Sequence, residues 1–186
     1  SIKARLPNVL AWLRDAQPDV ALLQEIKCVD DAFPRMEIEE LGYNLAVHGQ
    51  KTYNGVAILS KGPLDDIRSG LPEVAGDDHA RYIEAVASFG TLVLRVASIY
   101  LPNGNPVGDD SFSDKYKYKL AWMDRLAVHT RALLALDEPF ALAGDYNVIP
   151  EPVDAAFPAK WTGDALFQPE SRAAFRRLLP GGTLSR

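Results

Sequence analysis

The sequence has one cysteine, three histidines and no long apolar run, and each of these scarcities excludes a class of protein. The single cysteine, Cys28, excludes an internal disulfide framework and fits a reducing cytoplasm, where we expect the protein to be located. No segment approaches the ~20 consecutive apolar residues of a membrane-spanning helix, so we expect no membrane partner. The first residues are too charged for a secretory signal peptide.

Excess positive charge and glycine-rich phosphate loops are also missing. The net charge of −5 argues against a protein that coats nucleic acid by bulk attraction. The same net charge is compatible with an enzyme that binds phosphates locally through a metal ion and a few basic residues. Basic residues such as Lys119 could flank a DNA groove, although solvated surface is their more ordinary use. No Gly-rich fingerprint follows a predicted strand, which disfavours a plain Rossmann fold.

The spacing of apolar residues predicts four helices. In the first, apolar side chains recur at the i, i+3, i+4, i+7 spacing of one helix face, and Pro18 ends the helix. Ser113 is the expected N-cap of the longest helix. The four helices are expected over residues 2–17, 31–41, 114–136 and 169–179.

Six short runs predict strands, over residues 19–25, 43–49, 55–61, 81–90, 91–101 and 140–144. The Asn54–Gly55 pair predicts a tight turn between the second and third runs, and Gly90 predicts a hairpin between the fourth and fifth. The fourth run alternates polar and apolar residues, which is typical of a half-exposed strand, whereas the last predicts a buried strand. Antiparallel hairpins mixed with helical crossovers indicate an α/β sandwich whose sheets are covered by helices.

Three of the predicted strands end in unusual polar residues. Glu25 lies at the end of the first strand, Tyr100 and Asn103 lie at the end of the fifth, and Asp145 and Asn147 lie at the end of the last. Strand side chains alternate with a period of two, so Asp145 and Asn147 share a side if the chain stays extended. If the strand ends lie side by side, they gather carboxylates, amides and a phenol. Such a set suits a hard cation such as Mg²⁺ and metal-assisted phosphate-ester chemistry.

Each of these residues also has an ordinary interpretation. Glu25 could be a solvated acid, and Tyr100 could be a half-buried aromatic residue with its hydroxyl group in water. Asn103 precedes a glycine, and Asp145 follows one, so both segments could be simple turns. Taken singly, none of the residues decides between turn and site.

Taken together, the stretches PDVALLQEIK, HGQKTYNGVAILSK, YLPNG and LAGDYNVIP resemble the exonuclease–endonuclease–phosphatase superfamily. Within it they are most similar to the exodeoxyribonuclease III and AP endonuclease family of DNA repair. The resemblance implies an α/β fold, a four-layer α/β sandwich of two mixed sheets flanked by helices. It covers residues 1–186 as one endonuclease/exonuclease/phosphatase-type domain.

The resemblance also implies a role for each matched residue. Glu25 matches the metal-binding glutamate, and Tyr100 matches a tyrosine that contacts the scissile phosphate. Asn103 matches a polar position at the phosphate, Asp145 the aspartate that orients or deprotonates the attacking water, and Asn147 the amide that positions phosphate and nucleophile. The implied reaction is Mg²⁺-dependent hydrolysis, with Mn²⁺ as an alternative, of double-stranded DNA 5′ to an abasic site or at a 3′ end.

The departures from the family pattern lead to further expectations. The family's first strand, with its metal-site asparagine, and its C-terminal Arg-Ile-Asp-type and Ser-Asp-His motifs have no match here. We therefore expect this chain to lack the first strand and the C-terminal third, to be poorly stable and nearly inactive alone, and to be a monomer when full length.

Two other functions stay open. Another phosphoesterase of the same superfamily would act on a small phosphate or a lipid head group, and the HGQK and YLPNG segments count against it. A non-catalytic relative would explain the unmatched motifs, but the presence of Glu25, Tyr100, Asp145 and Asn147 counts against that.

Overall fold

The structure is a computed structural model that describes residues 1–72, 76–109 and 111–179. The C-terminal residues 180–186, with which the predicted domain ends, lie outside the described residues. No helix within the described ranges has the length and apolar character needed to cross a membrane.

Four α-helices and seven strands form the described part of the chain, together with short 3₁₀ turns. The helices are α1 (Ile2–Ala16), α2 (Arg35–Glu39), α3 (Asp114–Leu134) and α4 (Pro169–Arg176). The strands are β1 (Val20–Gln24), β2 (Asn44–His48), β3 (Val56–Ser60), β4 (Leu64–Ser69), β5 (Tyr82–Phe89), β6 (Leu92–Tyr100) and β7 (Phe140–Asp145).

The chain divides into two compact units. The first, called the sheet unit, consists of Ser1–Tyr100 and Asp137–Asp145 and contains every one of these strands. The second, called the helical unit, consists of Leu101–Leu136 and the residues from Tyr146 onward. It contains α3 and α4.

The sheet unit is built from two sheets that share a core. One sheet has the order β1-β3-β2 and is antiparallel, and the other has the order β4-β5-β6-β7 with a parallel pairing of β6 and β7. Because strand side chains alternate, β3 sends Val56 and Ile58 into one core cluster with Ile83 of β5, and Ala57 and Leu59 into another. The second cluster also contains residues of α1, which covers the outer face of the three-stranded sheet. The predicted α/β class is confirmed.

The helical unit is organised around α3. The Ser113 hydroxyl accepts a hydrogen bond from the Tyr116 amide at 3.1 Å, which confirms the predicted N-cap. The Tyr116 hydroxyl in turn lies 3.1 Å from the hydroxyl of Ser171 on α4, and this buried bond fixes the two helices to each other.

Four sequence-based expectations on elements were wrong. The helix expected over residues 31–41 is a 3₁₀ turn followed by the short α2, because Pro34 lies between them and has no amide hydrogen to donate. The Asn54–Gly55 pair has the positive φ of a tight turn, but the connection between β2 and β3 spans residues 49–55.

The other two wrong expectations concern how far two strands are buried. The fourth predicted strand, β5, is buried on both faces, since even Glu84 has no solvent exposure. The last predicted strand, β7, is mostly exposed, because it is an edge strand of its sheet within the described residues.

Candidate active site

Three of the five predicted site residues lie in the sheet unit, each at a strand end. Glu25 directly follows β1, whereas Tyr100 and Asp145 are the last residues of β6 and β7. The parallel register of β6 and β7 places Tyr100 beside Asp145. A Cβ on Gly144 would lie 2.1 Å from the carbonyl oxygen of Ile99, so only glycine allows β7 to approach β6 this closely.

The end of β1 is joined to β6 by a pair of hydrogen bonds between the two sheets. Gln24 Nε2 donates to Ser98 Oγ at 2.9 Å, and Ser98 Oγ donates to the carbonyl oxygen of Leu23 at 2.9 Å. Ser98 lies two residues before Tyr100, and Gln24 one residue before Glu25. These bonds therefore fix the carboxylate and the phenol relative to each other.

Glu25 and Tyr100 interact with each other and with a lysine. Lys27 Nζ lies 2.5 Å from Glu25 Oε2, and this bond, helped by the Tyr100 hydroxyl, holds the pKa of Glu25 below its usual value. Burial raises the pKa of Tyr100, and the negative charge of Glu25 raises it further. At neutral pH the pair is therefore an ionised carboxylate beside a phenol that keeps its proton.

Arg81 belongs to the same set of side chains, although the sequence analysis did not single it out. Its guanidinium carbon lies 5.0 Å from the centre of the Tyr100 ring, and its Nη1 donates to the Tyr100 carbonyl oxygen at 3.3 Å. The pairing of β5 with β6 brings the two residues together. No local sequence signal distinguishes Arg81 from other basic residues that precede a strand.

The backbone around Glu25 adopts a conformation that is rare for residues with a side chain. Glu25 has φ +53° and Lys27 has φ +54°. The segment is held by the end of the loop between β2 and β3, since the Ile26 and Lys27 amides donate to the carbonyl oxygens of Gly55 and Asn54 at 3.2 and 3.0 Å. Such conformations cost of order 1–3 kcal/mol each and concentrate at functional sites. Their occurrence at Glu25 therefore favours a role beyond a solvated acid.

The other two predicted site residues, Asn103 and Asn147, lie together in the helical unit. Asn103 Nδ2 is 3.5 Å from Asn147 Oδ1, and Asn147 Nδ2 donates to the Leu101 carbonyl oxygen at 2.8 Å. Lys119 of α3, predicted as a surface or groove residue, is instead completely buried and donates to the backbone of both segments.

The expectation that Asp145 and Asn147 share a side of an extended strand does not apply. The strand β7 ends at Asp145, and Asn147 has φ +46°, far from an extended conformation. The two residues also belong to different compact units. A period of two cannot relate side chains beyond the end of a strand.

The acidic side chains of the sheet unit fit a loosely held hard cation. No group of three or more histidine, cysteine, aspartate or glutamate residues that could hold a metal occurs in the described ranges. Mg²⁺ does not need such a cage, because it is commonly bound by one or two carboxylates together with waters and substrate phosphates. The ionised Glu25 carries a carboxylate of this kind, and the exposed Asp145 lies close enough to raise the pKa of Tyr100.

Two packed sheets with helices beside them define a mixed α/β fold, and known proteins share it. A profile of the Endonuclease/Exonuclease/phosphatase family matches residues 3–185. Exodeoxyribonuclease III of Haemophilus influenzae is 33% identical over 97% of this chain and 69% of its own length. The chain belongs to the endonuclease/exonuclease/phosphatase family.

Solved structures give the same result. An AP endonuclease from Archaeoglobus fulgidus aligns with a TM-score of 0.87 and 32% identity, over 96% of this chain and 66% of its own. A 3′ phosphatase from Neisseria bound to a product DNA hairpin aligns with a TM-score of 0.88 and 34% identity, with the same coverage. The predicted resemblance to exodeoxyribonuclease III and AP endonucleases is confirmed. The chain spans about two thirds of the length of these relatives.

Proposed function

We propose that the protein is a Mg²⁺-dependent DNA repair nuclease that hydrolyses phosphodiesters at abasic sites, at 3′ ends, or at both. The observation that carries the proposal is the set Glu25, Tyr100 and Asp145 at three strand ends of the sheet unit. The relatives support the substrate class, since they are named as an exodeoxyribonuclease, an AP endonuclease and a 3′ phosphatase bound to DNA. The partner in this proposal is double-stranded DNA.

Glu25 would hold the cation, with Mn²⁺ as an alternative to Mg²⁺. When bound, the cation would polarise a phosphoryl oxygen. The bond to Lys27 keeps Glu25 ionised and therefore ready to act as a ligand.

Asp145 and Tyr100 would act on the attacking water and on the phosphate. The exposed Asp145 carboxylate can orient a water molecule and accept its proton. Tyr100 keeps its proton at neutral pH and can donate it in a hydrogen bond to a phosphoryl oxygen that gains charge. Arg81, over the Tyr100 ring, adds positive charge beside the phenol.

Asn103 and Asn147 would position the phosphate through their amide groups. An amide offers donors for a phosphate oxygen and an acceptor for a water molecule, so one residue can contact both reactants. We also propose that residues 1–186 belong to one endonuclease/exonuclease/phosphatase-type domain. We further propose that the protein is a monomer when full length and that it is located in a reducing cytoplasm, which fits the single Cys28.

The experiment that tests the substrate class compares DNA with other phosphate esters. The protein is incubated with Mg²⁺ and an abasic duplex, a duplex with a recessed 3′ end, an inositol phosphate or sphingomyelin. We expect turnover of at least one duplex and none when EDTA is present. Turnover of the inositol phosphate or the lipid without DNA cleavage would instead support another phosphoesterase of the family. DNA binding without any turnover would support a non-catalytic relative.

A further inference from the structure

One buried lysine links the two segments that carry Asn103 and Asn147. Lys119 lies on α3 and has no solvent exposure. Its Nζ donates to the carbonyl oxygens of Pro102 and Asn103 at 3.1 and 3.2 Å, and to that of Asn147 at 2.6 Å. One ammonium group therefore bonds the backbone of two segments that are more than 40 residues apart in sequence.

A lysine in this place is unusual because a buried charge is costly. Lysine is almost never fully buried unless it is paired, since the desolvation of an ammonium group costs several kcal/mol. Packing alone could be provided by a methionine of similar length. The acceptors of Lys119 named above are main-chain carbonyl oxygens, so the bonds of its ammonium group depend on the position of the backbone at Asn103 and Asn147.

The stem of Lys119 also shapes the turn that follows Asn103. A Cβ on Gly104 would lie 2.6 Å from Lys119 Cδ and 3.2 Å from Ala165 Cβ. Gly104 has φ +89°, a conformation that favours glycine. The turn therefore packs directly against the aliphatic part of the Lys119 side chain, and this contact sets the distance between the turn and α3.

Asn147 depends on the same lysine for its backbone direction. Its φ of +46° is in the left-handed region, where a residue with a side chain needs support from its surroundings. The 2.6 Å bond from Lys119 to its carbonyl oxygen supplies such support, and the bond from its own Nδ2 to the Leu101 carbonyl oxygen orients the side chain.

From this geometry we propose that Lys119 is a positioning residue, which holds the Asn103 and Asn147 amides in place for the reacting phosphate. The inference rests on the proposed phosphodiester hydrolysis, and it assigns Lys119 no contact with substrate. In this role Lys119 acts through the backbone of the two asparagines. A misplacement of about 1 Å in such groups can cost about 100-fold in rate.

The test compares Lys119→Met with Lys117→Met in the whole protein. Lys117 is exposed on the same helix and serves as the matched control. On whichever duplex the protein cleaves, we expect kcat of Lys119→Met to fall about 100-fold with KM largely retained, and Lys117→Met to keep its kcat. In Lys119→Ala, added ethylammonium should restore part of kcat, whereas tetramethylammonium, which has no N–H donor, should not.

Amide hydrogen exchange provides a readout that does not need activity. We expect Lys119→Met to exchange faster than the unsubstituted protein at residues 101–105 and 146–149, with the rest of α3 still protected. If the unsubstituted protein cleaves no duplex, the proposed function fails, and exchange still decides on Lys119. Unchanged exchange in both segments, or unchanged kcat in an active enzyme, would overturn the positioning role.

Discussion

At the scale of single residues, the protonation states of Glu25 and Tyr100 suit the chemistry proposed for them. Lys27 keeps Glu25 ionised, and the buried neighbourhood of Tyr100 keeps the phenol protonated. A carboxylate must be ionised to bind a cation well, and a phenol must keep its proton to donate a hydrogen bond. The two residues lie in contact, so each supports the state of the other.

Replacing the acids should separate the two proposed roles of carboxylate groups. We expect Asp145→Ala to abolish measurable Mg²⁺-dependent cleavage. We expect the cleavage rate of Glu25→Ala to fall steeply but to rise again when more cation is added. Loss of a proton acceptor typically costs 10²–10⁴-fold. Single-turnover rates on an abasic duplex, measured over a range of Mg²⁺ concentrations, check both changes. The control is Asp65→Ala, an exposed acid of β4, which should retain the full rate. Equal rates in all three variants would refute these assignments.

Replacing the phenol tests the hydrogen bond to the phosphate. Tyr100→Phe removes one donor, and the loss of such a donor costs about 10²–10³-fold in kcat in other enzymes. The matched control is Tyr43→Phe, which removes the 2.8 Å bond from its hydroxyl to the Pro18 carbonyl oxygen in the interior. That change should lower the free energy of unfolding by about 1 kcal/mol and leave kcat unchanged. A Tyr100→Phe enzyme as fast as the unsubstituted one would exclude the donor role.

Sequence reasoning singled out candidate residues at the ends of predicted strands but gave no specific role to Arg81 or Lys119. Glu25, Tyr100 and Asp145 could be predicted because a polar residue at the end of an apolar run is conspicuous. Arg81 and Lys119 could not, because a basic residue before a strand or on a helix is ordinarily solvated. Only the pairing of β5 with β6, and the packing of α3 under two loop segments, reveal them.

At the scale of elements, the register of β6 and β7 decides where Asp145 lies. Close pairing at Gly144 puts Tyr100 and Asp145 side by side. The sequence predicted the strand but not its exposure, since β7 carries alanines and a glycine that are equally compatible with an edge. The charged β4, with sequence LDDIRS, was not predicted at all, because exposed edge strands lack an apolar run.

A substitution at Gly144 should weaken this pairing. In Gly144→Ala the new Cβ would meet the Ile99 carbonyl oxygen at 2.1 Å, and we expect the free energy of unfolding to fall by about 2–4 kcal/mol. Gly70→Ala is the control, because Gly70 has φ +78° but nothing within 4 Å of the new atom. The free energy of unfolding of Gly70→Ala should fall by about 1 kcal/mol, from backbone strain alone. Urea unfolding of both variants measures the difference, and equal losses would show that the close approach is absent.

A buried ion pair stabilises β5 and β6. Arg95 Nη1 lies 3.0 Å from Glu84 Oε1, and Arg95 Nη2 lies 2.7 Å from Asp66 Oδ2. Arg95→Met removes the closest positive charge from the buried Glu84, which keeps the Tyr82 hydroxyl at 2.5 Å and the more distant Arg68 at 3.7 Å, and should cost about 3 kcal/mol. Glu84→Gln added to Arg95→Met should recover part of the loss. No recovery in the double variant, measured by urea unfolding, would contradict the pairing.

The same arginine predicts a pH dependence of stability. Arg95, together with Arg68, holds the pKa of Asp66 below its ordinary value of 3.8. Because the folded pKa is lowered, ionised Asp66 stabilises the fold above pH 3.8, and this contribution is lost as the pH falls through the folded pKa. Asp66→Asn should therefore reduce stability at pH 7 and make little difference at the acid end. An equal reduction at both pH values would contradict this account.

At the scale of the whole molecule, a net charge of −5 provides no overall attraction to DNA. The proposed DNA substrate must therefore be bound through a few local contacts. In the proposed function, the cation held by Glu25 and the amide groups of Asn103 and Asn147 provide these local contacts to the phosphate.

The central claim is that this protein hydrolyses DNA phosphodiesters with the help of a divalent cation, and the position of the cut tests it most directly. A duplex labelled at its 5′ end and carrying one abasic site is incubated with the protein and Mg²⁺, and the product is sized against a ladder. The account predicts a single cut immediately 5′ to the abasic site, or shortening from the 3′ end, that EDTA abolishes and Asp145→Ala does not produce. An intact duplex after exhaustive incubation, or cleavage that persists in EDTA, would contradict it.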